Sequence, residues 1–161
     1  MRNDRGFTLV EVLIAILVLG VICVTVLQLF ALSNKLEKQS FDLEMANVQA
    51  VKTIELIKAA DHPSNVALNQ YFDHSETWME NDILTGRMSF DEDWSPLESG
   101  SPRESFILTF SAIPEQRIMA DGHLYGSLYF IRVWVVRAHG AEFISYEVRK
   151  YYGFPSPGGV R

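Results

Sequence analysis

The chain contains almost no cysteine. Among its 161 residues there is one, Cys23, so no disulfide can form within the chain. Cys23 lies inside an apolar run, and we interpret it as a small hydrophobic side chain rather than a reactive or lipidated thiol. An exported domain built from this sequence would therefore depend on packing alone for its stability.

Basic residues are outnumbered by acidic ones. Lys and Arg together number 14 against 20 Asp and Glu, which gives a formal net charge of −6. Nucleic acid phosphates and anionic lipid surfaces attract proteins that carry an excess of positive charge. The charge balance therefore predicts no general affinity for either, and we expect no nucleic acid partner.

Motifs of catalysis and metal binding are missing as well. The four histidines show no metal-ligand spacing such as His-Glu-x-x-His: they are His62, His74, His123 and His139. There is no Gly-x-Ser-x-Gly elbow and no glycine loop of the kind that binds phosphate. We predict no catalytic residue, no metal site and no cofactor.

Charge is nearly absent from a long segment close to the start of the chain. From Phe7 to Leu32 the only charged residue is Glu11. As a helix, the stretch from Phe7 to Phe30 would span about 36 Å, enough to cross a bilayer core of roughly 30 Å. Arg2 and Arg5 precede it, which favours a cytoplasmic start and an exported remainder.

Three interpretations of this segment compete. A secretory signal peptide would have a shorter apolar stretch of about 7–15 residues, although Ala31-Leu32-Ser33 resembles a cleavage site. A plain transmembrane anchor explains the length and the flanking charge. It does not explain Glu11, because placing a charged side chain in hydrocarbon costs at least a few kcal/mol of free energy. The third interpretation, a short charged leader followed by a processing motif, accounts for every part.

The third interpretation rests on a short motif in which a glycine, an aromatic residue and an acid occur at fixed spacing. Its members are Gly6, Phe7, Thr8, Leu9 and Glu11, continued by Val12-Leu13-Ile14-Ala15. This motif resembles the class III signal of type IV pilins and pseudopilins. The resemblance is specific, because all three residue types fall where that family requires them.

The resemblance implies a defined processing step. In that family a prepilin peptidase cuts after the glycine and methylates the new amine, which implies cleavage after Gly6 and N-methylation of Phe7. A missing Cβ at Gly6 lets the backbone approach a protease closely. In a filament, the Glu11 carboxylate would meet the Phe7 amine of a neighbouring subunit and set the axial register. The implied partners are other pilins, the peptidase and an inner-membrane assembly platform.

The helical pattern continues past the apolar run. Apolar residues recur at spacings of three and four and mark one face: Leu43, Ala46, Ala50, Ile54 and Ile57. Pro63 supplies a stop, so one helix is predicted from about Phe7 to about Ala60. Major subunits of the family commonly carry a proline in the middle of this helix, near Gln28 here. This chain has none, which favours a minor subunit.

The stretch from Asn65 to Gly100 is polar and acidic. It contains eight acids: Asp73, Glu76, Glu80, Asp82, Asp91, Glu92, Asp93 and Glu98. Some pseudopilins bind calcium in a loop, but no Asp-x-Asp-x-Asp-Gly pattern occurs here. We predict a solvated acidic loop, with Gly86 to Phe90 as a short strand. Of Trp78 and Trp94, at least one is expected to pack against the head.

The last third of the chain predicts an antiparallel sheet. Apolar and polar residues alternate in three runs: Phe106 to Ala112, Tyr129 to Arg137, and Ile144 to Arg149. Residues 138–141 are expected to form a hairpin connection, in which Gly140 is free to take a positive φ. A long helix followed by such strands predicts an α+β fold, with the helix packed on a small antiparallel sheet.

These inferences combine into one hypothesis. Residues 1–6 are a cleaved leader, 7–32 a transmembrane and filament-core helix, and 33–161 a periplasmic or extracellular head that includes the rest of the helix. The chain would be a single-pass protein of the bacterial inner membrane. We predict a minor pilin or minor pseudopilin of a type IV pilus or type II secretion pseudopilus. The alternatives are a tip adhesin, a DNA-uptake pseudopilin and, less favoured, a membrane-anchored enzyme.

Overall fold

The computed structural model of the chain describes residues 8–61, 75–120, 123–138, 140 and 142–153. The element order is one helix followed by six strands: α1 Leu9–Ala59, β1 Glu76–Glu80, β2 Ile83–Phe90, β3 Pro96–Leu97, β4 Phe106–Ala120, β5 His123–Arg137 and β6 Glu142–Gly153. The chain divides into two compact units, Met1–Asp42 and Leu43–Arg161, and α1 contributes residues to both.

The six strands form one antiparallel sheet in the order β1-β2-β4-β5-β6, with β3 paired to β2. The predicted meander is therefore confirmed as β4-β5-β6. All three strands extend beyond their predicted bounds, because hydrogen bonding continues past the alternating apolar residues. Beyond Pro114, a bulge at Glu115 places one extra residue in β4, and pairing with β5 continues.

One face of the sheet forms the core together with the second half of α1. Ala46, Ala50 and Ile57 are fully buried on the helix, and they share one core cluster with residues of β2, β4 and β5. On β4 the buried residues are Phe106, Leu108, Phe110 and Ala112; on β5 they include Ile131, Val133 and Val135. The predicted α+β packing and the predicted inward faces of these strands are confirmed.

The predicted apolar stripe of the helix is wrong at one residue, Leu43. Leu43 is 44 % exposed, whereas Thr53 is fully buried in the same core. The hydroxyl of Thr53 donates to the Gln49 carbonyl at 2.8 Å, so this polar group needs no partner beyond its own helix. Leu43 therefore lies just outside the buried face of the helix, which includes the polar residues Asp42 and Thr53.

Two tyrosines of β6 bind α1 directly. Tyr146 donates its hydroxyl to Asn47 Oδ1 at 2.7 Å, and Tyr152 donates to the Ile57 carbonyl near the end of the helix. Tyr152 packs edge-on against Tyr129, with ring centroids 5.4 Å apart. Burial raises the pKa of Tyr152 to about 12, so this donor keeps its proton throughout the physiological range.

The acidic stretch is more ordered than predicted. Instead of a solvated loop with one short strand, it contains β1 and an eight-residue β2 that starts earlier than Gly86. Asn81 and Asp82 join them as a two-residue turn, both with positive φ, which suits the twist of a tight hairpin. The acids concealed this pattern because those of β1 point into solvent while β2 is largely buried.

Gly86 is required where β2 meets β4. It lies opposite Phe110, and a Cβ built on Gly86 would come within 2.2 Å of the Phe110 ring. The ring occupies the space that any other side chain would need. By contrast, Gly140 does not use the positive φ that glycine permits: among the described glycines only Gly100 has one.

Trp94 is the anchor of the loop between β2 and β4. Its ring is 4 % exposed and stacks on Phe106 at a centroid distance of 4.3 Å, so the prediction that at least one tryptophan packs against the head is confirmed. Trp94 has a φ of 62°, a strained value for a large residue. The Asp91 carboxylate stabilises this turn by accepting the backbone N–H groups of Asp93 and Ser95.

Glu104 ties the far end of the same loop to β2. Its Oε1 accepts from Arg87 and from the Ser89 hydroxyl, each at 2.7 Å, and its side chain is only 11 % exposed. Burial alone would raise the pKa of Glu104, but the hydrogen bonds from Arg87 and Ser89 and the charge of Arg87 together outweigh it. The pKa of Glu104 therefore lies below its ordinary value.

Truncation of the helix stripe should destabilise the head. Ile54 is 7 % exposed, so Ile54→Ala should lower the free energy of unfolding by about 2–5 kcal/mol through lost burial and the cavity left behind. Leu43→Ala is the matched control, since Leu43 is exposed on the same helix, and it should change stability by less than about 0.5 kcal/mol. Urea unfolding in detergent, followed by circular dichroism, measures both. Equal effects would contradict the helix face assigned here.

The Glu104 cluster should make stability depend on pH in one direction. Because its pKa is lowered by folding, the carboxylate adds stability above its unfolded pKa and loses it as pH falls through the folded pKa. Glu104→Gln should cost about 1 kcal/mol at pH 7, and the difference from wild type should begin to shrink near the unfolded Glu pKa of about 4.3 and vanish only below the folded pKa. Asp93→Asn, which removes the same charge from an exposed position of the same loop, is the control in urea unfolding, and an equal gap in both variants would contradict the role of the Glu104 cluster.

Candidate assembly site at the start of the helix

Thr8 begins the helix as its N-cap. Its carbonyl accepts the backbone N–H groups of Glu11 and Val12 at 3.0 and 3.2 Å, and its hydroxyl lies 3.3 Å from the same Glu11 nitrogen. Glu11 is then the third residue of the helix, the spacing of a capping box. Sequence reasoning used both residues as parts of a processing motif and missed this cap, although Thr-x-x-Glu before an apolar run is its usual signal.

Glu11 sits where a helix tolerates negative charge best. It lies in the first turn of α1, where the unpaired N–H groups leave a partial positive charge. Its side chain is exposed, and none of the described residues forms an ion pair with it. The structure thus presents one carboxylate that is compatible with its own helix and available to a group from outside the chain.

The surface around Glu11 is apolar. Leu9, Val10 and Leu13 are exposed, and exposure continues along every large hydrophobic residue up to Leu36. An 18-residue window in α1 reaches a mean hydropathy of 3.0 and is not buried at any point, so this helix is long and apolar enough to cross a membrane. Lipid or other protein must cover such a surface in the cell.

The apolar stretch contains two polar or reactive groups, Thr25 and Cys23. Thr25 donates its hydroxyl to the Val21 carbonyl at 2.9 Å, which satisfies the donor without a partner outside the helix. Cys23 is exposed on the same helix. Helical geometry is unbroken from Leu9 to Ala59 and passes through Gly20 and Gln28 without a proline.

The structure describes one of the three predicted site residues. Glu11 is placed in the first turn of α1, as described. Gly6 and Phe7 lie outside the described residues, so cleavage after Gly6, methylation of Phe7 and the assembly role of Glu11 stay predictions. Elsewhere, the residues that the structure describes contain no group of three or more His, Cys, Asp or Glu side chains that could hold a metal ion.

Comparison with protein families adds one finding. Residues 1–27 match the family model described as the prokaryotic N-terminal methylation motif. No curated protein and no solved structure matches the chain. The matched residues include residues 1–6, Glu11 and the first part of the apolar helix. The chain therefore carries a type IV pilin-like class III signal, ahead of an α+β fold with the architecture of a type IV pilin.

Proposed function

We propose that the chain is a structural subunit, a minor pilin or minor pseudopilin, of a type IV pilus or a type II secretion pseudopilus. The observation that carries the proposal is the methylation motif at residues 1–27, with Glu11 exposed in the first turn of an otherwise apolar helix. A motif and a fold of this kind are those of a structural protein. The proposal assigns the chain no chemical reaction.

Glu11 supplies the recognition step of assembly. Cleavage after Gly6 would free the amine of Phe7, one helical turn from the Glu11 carboxylate. In a filament core, the amine of one subunit and the carboxylate of the next would lie in a medium of low dielectric constant. Opposite charges attract far more strongly there than in water, and a pair displaced by one residue would leave both charges desolvated without a partner.

The apolar surface of α1 serves two environments in turn. Before assembly, lipid of the bacterial inner membrane covers the residues from Leu9 to Leu32, with the head on the periplasmic side. In the filament, the same side chains pack against the helices of other pilins. The prepilin peptidase and an inner-membrane assembly platform act on the chain between these states. The lack of a proline in the middle of α1 supports a minor subunit.

Processing tests the leader. The mature protein should begin at Phe7 with a methylated amine, which mass spectrometry of the purified chain measures directly. Gly6→Ala should be processed poorly and Gly6→Leu hardly at all, because the peptidase must approach the backbone at this position. A mature chain that begins at Asn34, or one that retains Met1, would contradict the proposal.

Assembly tests Glu11. Glu11→Leu should insert into the membrane as well as wild type or better, since it removes a charge from hydrocarbon. Its recovery in sheared filaments should fall by roughly tenfold or more, because a neighbour's buried amine loses its partner. Glu11→Gln separates charge from shape and should fail in the same way, while Val12→Leu is the neutral control. Wild-type recovery of Glu11→Leu would show that the carboxylate has another role.

A further inference from the structure

The two outer strands of the sheet differ in chemistry. Among the described strands, β1 pairs only with β2 and β6 pairs only with β5, so each has one side open. Every residue of β1 is exposed, and Trp78 and Met79 expose apolar side chains on its two faces. An exposed apolar strand at an edge is a template for pairing with another strand.

The turn between β1 and β2 determines which backbone groups are open. Glu80 and Ile83 flank the two-residue turn and pair with each other, so they form the hydrogen-bonded pair of this hairpin. Hydrogen-bonded and non-hydrogen-bonded pairs alternate along antiparallel strands. The N–H and C=O groups of Thr77 and Met79 therefore point away from β2, toward the open side.

The sheet also fixes the direction of its edges. Four antiparallel pairings separate β1 from β6, so these two strands run in the same direction. When two copies of the chain point the same way, β6 of one can lie beside β1 of the other as a parallel strand. Such a contact uses different surfaces on the two copies, and contacts of that kind generate closed rings or, where the rotation does not close, open helical assemblies.

The side chains of the two edges are complementary. Glu76 and Glu80 flank Trp78 on β1, and no basic residue occurs from 75 to 82. The end of β6 carries Arg149 and exposed Tyr151. Arg149 binds Glu115 in its own chain but is 61 % exposed, which leaves the guanidinium accessible to a second carboxylate.

These residues share one face of the sheet. One row across the strands contains Glu76, Arg87, Thr109, Trp134 and Ser145, each paired with the next. Arg149 and Tyr151 follow Ser145 at even spacing on β6, so they lie on the same face as Glu76 and Trp78. Aligning residues 76–80 with 149–153 places Glu76 beside Arg149 and Trp78 beside Tyr151.

We propose that β1 of the chain binds the end of β6 from a second copy, in this register, and continues the sheet from one head to the next. The acids of β1 disfavour pairing of β1 with another β1, so the contact is selective for the basic edge. The proposed interface is small, since it joins five residues of β1 to five residues of β6. It rests on the proposed function, because assembly through the helices raises the effective concentration of neighbouring heads.

Photocrosslinking of the full chain in its own membrane tests the contact. A benzophenone amino acid at Trp78 should give a dimer whose crosslink maps by mass spectrometry to residues 149–153 of the second copy. The same amino acid at Arg103, an exposed loop position that belongs to neither edge strand, should give none. A crosslink from position 78 to a different protein, or no dimer at all, would overturn the proposal.

The backbone of β1 offers a sharper variant. Thr77→Pro removes an N–H that points to the open side and should leave the bonds to β2 in place, since proline is tolerated at such edge positions. It should reduce the dimer crosslink by about tenfold or more, whereas Thr77→Ala, which keeps the N–H, should leave it unchanged. Equal crosslinking by both variants would argue against strand pairing.

Charge exchange keeps the proposal testable if the proline variant does not fold. Glu76→Lys and Arg149→Glu should each lower the crosslink by about threefold to fivefold, and both together in one chain should restore it. The pair of Arg149 with Glu115 cannot produce this rescue, because Glu115 is unchanged in the double variant. Failure of the double variant to recover would refute the register.

Sheared filaments from the same cells separate the two proposals. A wild-type chain that sediments with filaments but shows no crosslink from position 78 to residues 149–153 would overturn the edge contact and leave the filament function standing. A chain that is absent from filaments yet still crosslinks in this way would overturn the filament function and uphold the contact between heads.

Discussion

The head depends on the close approach of α1 to the sheet. Ala46 and Ala50 are fully buried, and their small side chains let the helix backbone come near the strands while Ile54 and Ile57 fill the space beyond them. Without this face, the inward residues of β4 and β5 would expose a large apolar area to water. The described part of the chain has no disulfide to compensate, so packing and the tyrosine contacts from β6 must hold the two layers together.

The same helix satisfies opposite demands along its length. Near its start, exposed apolar residues and one carboxylate suit a surface that other molecules must cover. Farther along, buried alanines and a self-bonded Thr53 suit an interior that is complete within the chain. One uninterrupted helix can serve both because each demand is met by side chains alone, and the backbone needs no break between them.

Sequence reasoning located the helix, the three long strands and their inward faces, because apolar periodicity is strong there and few acids disturb it. It was less successful where acidic residues lie within a strand or next to one. The alternation in β2 was read as a short strand from Gly86, since Ile83 and Leu84 follow an acidic hairpin. Leu43 fits the helical spacing as well as Ala46 does, but the buried face of the helix passes through Asp42 and Ala46 and leaves Leu43 exposed.

The functional residues, too, could be found only in part from the sequence. Glu11 stood out because a charge within an apolar run is costly, and its place in the first turn of α1 agrees with the motif. The cap formed by Thr8 was missed, although its spacing was visible. The Glu104 cluster could not be found from sequence at all: Arg87 and Ser89 are 17 and 15 residues away, and only the pairing of β2 with β4 brings them together.

The burial of Trp94 gives the head an intrinsic fluorescence signal that reports whether its core is folded. The chain has three tryptophans in three surroundings: Trp94 stacked in the core, Trp134 beneath the Arg132 guanidinium at 5.3 Å, and Trp78 48 % exposed on the edge strand. An indole in an apolar interior emits at shorter wavelength than one in water. A soluble quencher would reach the exposed Trp78 before the buried Trp94, so quenching separates the fluorescence of Trp94 from that of Trp78. Ordinary fluorescence could therefore follow the loop and the edge strand separately, without any added label.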